Sequence, residues 1–182
     1  MCEFISLITD SPDIDRLKEA LALRGREAIA MANPAIQRLL GPSERQFRTR
    51  ANCDCGTSLG SSKRAPAPDL TKTIAAKIKS GWSKTKIDRW VADQQKVHDR
   101  PKPRDDSYEY WAQLIDSLLA LPNTSTAGLI VHSYKGWVDH EEFPARRREI
   151  SPGQDLAESL QRIQMDEMLV VRQDLSRKKK PA

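Results

Sequence analysis

The sequence predicts an α+β fold, in which a small mixed sheet is built from N-terminal and C-terminal strands and a helical segment is inserted between them. Two observations support this prediction. Short apolar segments rich in β-forming residues lie near both ends of the chain, and amphipathic helical patterns lie between them. We expect a single domain over residues 1–175 whose sheet is closed by the last strand. Residues 61–104 form a basic helical insertion in it, and residues 176–182 form a basic disordered tail.

The first third of the chain alternates strands with short helices. The predicted elements are a strand over 3–9, a helix from Ser11 or Asp13 to Gly25, an ambiguous segment over 27–40 and a strand over 44–50. The helix is supported by Ile14, Leu17 and Leu21, which recur at helical spacing, and Gly25 ends it. Within the ambiguous segment, Asn33 and Pro34 break the chain before a short helical turn.

The remainder begins with helices and ends with strands. We predict helices over 69–80, 83–95, 106–121 (from Asp105 or Asp106) and 154–163, and strands over 127–134, 141–143, 146–150 and 167–173. Gly81 separates the first two helices, and Pro122 stops the third. Apolar residues at helical spacing give that third helix a broad apolar stripe.

Composition limits the classes of protein to consider. Hydrophobic residues make up 38% and charged residues 30% of the 182 residues, and mean hydropathy is −0.62, which indicates a compact core surrounded by polar segments. No apolar run approaches the roughly 18 residues that span a bilayer, and the N-terminus lacks the basic start and cleavage site of a signal peptide. We therefore expect a cytoplasmic protein with no membrane contact. In that reducing compartment its three cysteines are expected to be free, metal-bound or catalytic.

Those cysteines form the candidate site. Cys53 and Cys55 lie one residue apart after a predicted strand, and Cys2 lies at the start of the chain. Tetrahedral zinc takes thiolate and imidazole ligands, usually four of them, so two cysteines supply only half a site. If neighbouring strands bring Cys2 and His132 to the same turn, the four residues make a zinc site. Asp54 and His140 are substitute ligands, and His98 is a poor one because it ends a charged helix. The alternative is that these side chains simply pack in the core.

A cysteine-dependent enzyme is a second interpretation. Removal of Met1 would leave Cys2 as an N-terminal nucleophile with its own amino group as base, as in the glutamine amidotransferases that start this way. The chain resembles those enzymes only in Met-Cys, because Glu3 stands where they have glycine. Cys53 or Cys55 with His132 as base is the other arrangement, in which the backbone N–H groups of the turn would lower a thiol pKa and hold an oxyanion.

The charge distribution suggests a third interpretation. Residues 61–104 carry 12 basic and 4 acidic side chains, whereas residues 105–175 carry 6 and 13. The basic segment resembles a helix-turn-helix with Gly81 at the turn. Lys84, Lys86 and Arg89 lie on its second helix, where a groove-reading helix needs phosphate and base contacts, so nucleic acid is a possible partner. The segment departs from that motif at Lys77, where alanine is usual, and its tryptophans suggest packing. Blocks of opposite charge also pair within a fold, or meet a protein partner.

Four segments together resemble a group of bacterial proteins of unknown activity that begin Met-Cys-x-Phe and carry a CDCG-T-x-LG block. They are MCEF at the start, CDCGTSLG over 53–60, SGWSKTKIDRW over 80–90 and IVHSYKG over 130–136. The resemblance covers most of the chain. It implies that Cys2, Cys53, Cys55 and His132 belong together and brings no activity. We therefore expect a zinc-binding or protein-interaction module, with a nucleic-acid-binding protein and a cysteine enzyme as alternatives.

Overall fold

The computed structural model describes residues 2–61, 70–98 and 106–174. The chain divides into two compact units. The larger comprises residues 1–63 and 103–182, and the smaller comprises residues 64–102. The parts of the expected insertion at 62–69 and 99–104, and the expected C-terminal tail at 176–182, lie outside the described residues.

A six-stranded mixed sheet forms the larger unit, which confirms the α+β class. The strands are β1 (Cys2–Thr9), β2 (Ile29–Met31), β3 (Arg45–Arg48), β4 (Thr126–Tyr134), β5 (Arg146–Ile150) and β6 (Glu167–Arg172). Their spatial order is β2-β3-β1-β4-β6-β5. Neighbours are antiparallel except β5 and β6, which run parallel. The two longest, β1 and β4, lie at the centre because they carry the most continuous apolar runs.

Helices of the larger unit begin at side-chain caps. Asp13, Ser107 and Asp155 each accept a hydrogen bond from a backbone N–H three residues ahead, which satisfies a donor that the first helical turn leaves open. The helices of this unit are α1 (Ile14–Ala22), α2 (Pro34–Gln37), α3 (Ser58–Ser61), α6 (Tyr108–Leu119) and α7 (Leu156–Gln161), and those of the smaller unit are α4 (Thr71–Lys79) and α5 (Lys84–His98). Asn33 caps the single turn of α2 in the same way as the three caps above.

The two faces of the sheet are covered differently. On one face, α1, α6 and α7 bury the main core, whose largest side chain is the fully buried Trp111. On the other face, α2 and the irregular segments near Leu39 and Phe143 cover a smaller core. Because side chains alternate along a strand, the even-numbered Phe4 and Ile8 of β1 face this smaller core, whereas Ile5 and Leu7 face the helices.

The smaller unit contains two helices, α4 (Thr71–Lys79) and α5 (Lys84–His98). Gly81 joins them with φ of +81°, a left-handed conformation that glycine adopts without strain. No residue of α4 is buried. None of the helices in the described part of the chain is long and apolar enough to cross a bilayer.

Four details differ from expectation. The last strand does not close the sheet, since β6 lies between β4 and β5 and the edges are β2 and β5. Residues 141–143, which were expected to form a strand, are irregular. Strand β2 was not predicted, because its three residues are too few to show an alternation of apolar and polar side chains. Ser107, rather than Asp105 or Asp106, caps α6. Asp106 is instead turned into a buried ion pair, described below.

Candidate metal centre

The cysteine turn continues the sheet where β3 has ended. β1 pairs with β3 only from Ser6 onward, so the N-terminal part of β1 has no strand on that side. Residues 53–55 take this place. The Glu3 carbonyl accepts a hydrogen bond from Asp54 N–H at 2.7 Å, and Ile5 N–H donates to Asp54 Oδ2 at 2.8 Å. Side-chain acceptors thus satisfy backbone donors that a strand would otherwise have paired.

The buried side chain of Asp54 holds the turn in place. Its side chain is 1% exposed and contacts two guanidinium groups, with Arg26 Nη1 at 2.9 Å and Arg50 Nε at 3.2 Å from its Oδ1. Burial raises the pKa of Asp54, and the Ile5 N–H and the two arginines oppose that rise. Arg26 also donates to Asp106 and lies over the Trp111 ring, 4.4 Å from its centroid. The turn is therefore fixed to the main core through Arg26.

The one-residue spacing of the motif now has a structural reason. Because the central Asp54 points inward, Cys53 and Cys55 on either side of it lie on the outer side of the turn, beside Cys2 at the start of β1. The three sulfur atoms all lie within 4.8 Å of one another. Cys2 is exposed and the other two are half-buried. Ideal zinc–sulfur bonds of about 2.3 Å place sulfurs about 3.8 Å apart, so these thiols are near the spacing that a metal requires.

Hydrogen bonds also hold the backbone around the thiols. Glu3 N–H donates to Cys55 Sγ at 3.2 Å and so ties this sulfur to the start of β1. The turn is tightened by Thr57, which donates from both N and Oγ1 to the Asp54 carbonyl at 2.9 Å. The Gly60 N–H in turn donates to Thr57 Oγ1 at 3.0 Å. The thiols consequently project from a turn that is hydrogen-bonded on both sides.

The structure does not bring His132 into this group, which within the described residues consists of the three cysteines. His132 lies on β4 opposite Phe4 and is 7% exposed. Its ring nitrogens are engaged elsewhere, with Nδ1 at 2.6 Å from Asp166 Oδ1 and Nε2 at 3.5 Å from Glu141 Oε1. The ring also stacks on Phe143. His132 therefore links β4 to the segments that follow it, and its ring nitrogens contact these two carboxylates rather than a cysteine that they could activate.

The substitute ligands Asp54 and His140 are not members of the cysteine group either. Asp54 is occupied by arginines, as described, and the exposed His140 does not belong to the cysteine group. His98 ends α5, and its side chain lies outside the described residues.

Basic side chains of the smaller unit lie on its surface. Lys84, Lys86 and Arg89 are exposed on α5. The Lys86 ammonium lies 4.2 Å from the Trp82 ring centroid, and Lys77 lies over both Trp82 and Trp90. The tryptophans therefore pack with lysines within this unit, in agreement with the expectation that they serve packing.

The residues that sequence reasoning missed are those that hold the turn. Arg26 is one of 30 basic residues, and nothing beside it in the chain marks it as buried. Asp106 was expected only as a possible start of a helix. Arg26 lies 28 positions from Asp54 and 80 positions from Asp106 along the chain. Local sequence patterns do not indicate contacts over such separations.

Comparison of the chain with protein-family models, with curated proteins and with solved structures finds no match.

Proposed function

We propose that this chain is a zinc-binding protein-interaction module in which Cys2, Cys53 and Cys55 ligate the metal. The observation that carries the proposal is the clustering of all three cysteines within 4.8 Å, although 51 positions separate Cys2 from Cys53. Cysteines that served only as small apolar side chains would have no reason to converge at a partly exposed turn. Soft thiolate donors select zinc, copper(I) or iron–sulfur chemistry, and zinc is the usual occupant of a mononuclear structural site.

The site is suited to organise structure. The metal would join the first residue of β1 to the turn after β3, and so hold the N-terminus of the chain against the sheet. Because the unfolded chain has no preformed site, the binding free energy adds to the stability of the folded state.

Elemental analysis of the untagged protein tests the proposal. We expect about one zinc per chain, and we expect Cys53→Ser and Cys55→Ser to lose it and a chelator to lower the melting temperature. The matched control is His140→Ala, which removes an exposed metal-capable side chain outside the cluster and should keep the zinc. Metal-free protein with three freely titrating thiols would refute the proposal.

A second candidate function is nucleic-acid binding by the smaller unit. It is supported by the seven basic and two acidic residues between Leu70 and His98, and by the exposure of Lys84 and Arg89 on α5. We expect salt-sensitive DNA affinity that falls when Lys84, Lys86 and Arg89 are replaced together by alanine. DNA affinity that does not respond to salt or to this triple variant would exclude it.

A further inference from the structure

We propose that the smaller unit binds single-stranded nucleic acid, with unpaired bases stacked on Trp82 and Trp90 and phosphates bound by the surrounding basic side chains. The inference rests on the second candidate function, nucleic-acid binding, since it concerns the same unit. It adds the form of nucleic acid that this surface accepts, and it gives a binding role to two tryptophans that were expected only to pack.

Trp82 and Trp90 present their ring faces to one common point. The Lys77 ammonium lies over both rings, 3.8 Å from the Trp82 centroid and 4.4 Å from the Trp90 centroid. Both tryptophans are half-buried, so part of each side chain is accessible to solvent. Atoms of two rings in contact are about 3.5–4.0 Å apart. The Lys77 ammonium therefore occupies the place that a flat aromatic ligand would take against either indole.

The charge of the unit selects the class of that ligand. Between Leu70 and His98 there are seven basic and two acidic residues. A second ammonium, that of Lys86, lies 4.2 Å from the Trp82 centroid. Quaternary ammonium ligands also bind aromatic faces, but here the lysine charges would repel them. A ligand that joins a flat ring to negative charge fits this surface, and the nucleotides of a nucleic acid have that chemistry.

An entering base would displace the lysine ammonium groups from the indoles. A cation–π contact at an exposed site stabilises less than a base stacked on an aromatic side chain does, so this exchange is favourable. The released Lys77 and Lys86 have flexible stems that can turn to the phosphates beside the stacked base. Arg89 and Trp90 lie three and four positions after Lys86 on α5, and therefore on the same side of that helix. Groups that bind phosphate thus lie next to groups that stack.

Stacking on a side chain requires unpaired bases. In a duplex each base is covered by its neighbours, and the protein reaches only base edges and phosphates. In a single strand the base faces are accessible, and every base has such a face, so this kind of binding depends little on sequence. A surface with two accessible indoles among basic side chains therefore favours a single strand over a duplex.

Fluorescence anisotropy with the full chain tests the inference. The labelled probes are an oligothymidylate and its duplex with oligoadenylate of the same length. We expect the single strand to bind about tenfold more tightly than the duplex. We expect Trp82→Leu and Trp90→Leu each to weaken single-strand binding by about tenfold and to leave duplex affinity nearly unchanged. The matched control is Trp137→Leu, which removes an 82% exposed tryptophan of the larger unit and should change neither affinity.

Tryptophan emission gives a second measurement that leaves both indoles of the smaller unit in place. The chain has four tryptophans, and Trp111 is fully buried. In Trp137→Leu, the emission accessible to a ligand therefore comes from Trp82 and Trp90. We expect saturable quenching of this emission by the oligothymidylate, because a base in contact with an indole quenches it. The result decides the matter even if Trp82→Leu or Trp90→Leu does not fold.

The outcomes separate the inference from the function on which it rests. If strand and duplex bind equally and neither tryptophan variant changes this, phosphate contacts alone account for binding, and the inference fails while the candidate function stands. If neither probe binds at low salt, both fail. Single-strand binding without quenching in Trp137→Leu would locate the contact elsewhere and overturn the inference. Equal quenching by thymidine monophosphate at the same nucleotide concentration would assign the site to a free nucleotide and would also overturn it.

Discussion

Arg26 Nη1 donates to Asp54 Oδ1 at 2.9 Å, and both side chains are 1% exposed. This buried ion pair joins Arg26, in the turn after α1, to the centre of the cysteine turn. Two charges that are removed from water remain stable only when each keeps its counter-charge and its hydrogen bonds. Here Arg26 meets this condition through Asp54, Asp106 and the Tyr110 hydroxyl.

We therefore expect Arg26→Met to lower the free energy of unfolding by about 3–5 kcal/mol, because the two buried carboxylates that pair with Arg26 would lose most of the positive charge that balances them. The matched control is Arg38→Met. Arg38 pairs with Glu142, but both side chains are more than half exposed, so its loss should leave the unfolding midpoint almost unchanged. Urea unfolding midpoints measure both effects. Equal losses for the two variants would contradict the role given to Arg26.

The Gly60 position tests whether the geometry of the turn supports the metal. A Cβ atom at Gly60 would lie 2.4 Å from the Asp54 carbonyl oxygen, a contact that real Cβ atoms do not show. We expect Gly60→Ala to displace the turn and to weaken zinc binding by roughly tenfold to a hundredfold, as loss of supporting contacts around a metal site does.

Gly56→Ala is the control for this prediction. Gly56 lies in the same turn, yet a Cβ there meets no atom within 4 Å. Zinc affinity measured by competition with a chromophoric chelator should be close to that of the unchanged protein. If Gly60→Ala binds zinc as tightly as Gly56→Ala, the backbone of the turn does not position the thiols.

The fold was predictable from sequence where its signals were local. The apolar runs of β1, β4 and β6 and the stripe of α6 each identify an element without reference to any other. The order of the strands was not accessible in this way, because β5 reaches the edge of the sheet through its pairing with β6, and pairing between distant segments leaves no periodic mark.

The candidate site was likewise predictable from sequence only in part. Cys2 and the turn at 53–55 could be expected to meet, since each adjoins a strand of the sheet. His132 shares the sheet face of Phe4, so its backbone position also agreed with a place near the thiols. The direction of its ring was decided by Asp166 and Glu141, which lie 34 and 9 positions away, and no local rule reports such contacts.

Glu44 provides a prediction about pH. Its side chain is 2% exposed and accepts hydrogen bonds from both terminal nitrogens of Arg147, at 2.5 and 2.8 Å, and from Gly41 N–H at 2.7 Å. Burial acts to raise its pKa, but these donors outweigh burial, so the pKa of Glu44 lies below its ordinary value. A carboxylate with a depressed pKa stabilises the folded state above the unfolded pKa. That contribution disappears as pH falls through the lower, folded-state pKa.

We expect Glu44→Gln to lower the free energy of unfolding by about 2 kcal/mol at neutral pH, since hydrogen bonds to a charged group are lost. The difference between the two proteins should shrink as pH falls below the unfolded pKa, about 4.3. Urea unfolding at several pH values between 7 and 3 measures this change. A difference that stays constant over that range would show that the charge of Glu44 does not contribute.

The last prediction separates the two roles available to His132. If it serves only to join β4 to Asp166 and Glu141, then His132→Gln should lower stability by about 1–3 kcal/mol and leave the metal content unchanged, because the three thiols keep their positions. Cys55→Ser should lose the metal and, with it, the stability that metal binding adds to the folded state. Elemental analysis and urea unfolding of both variants give the comparison. If folded His132→Gln contains as little zinc as Cys55→Ser, then His132 is a metal ligand and this prediction is wrong. Its ring would then have to move away from Asp166 and Glu141 to reach the metal.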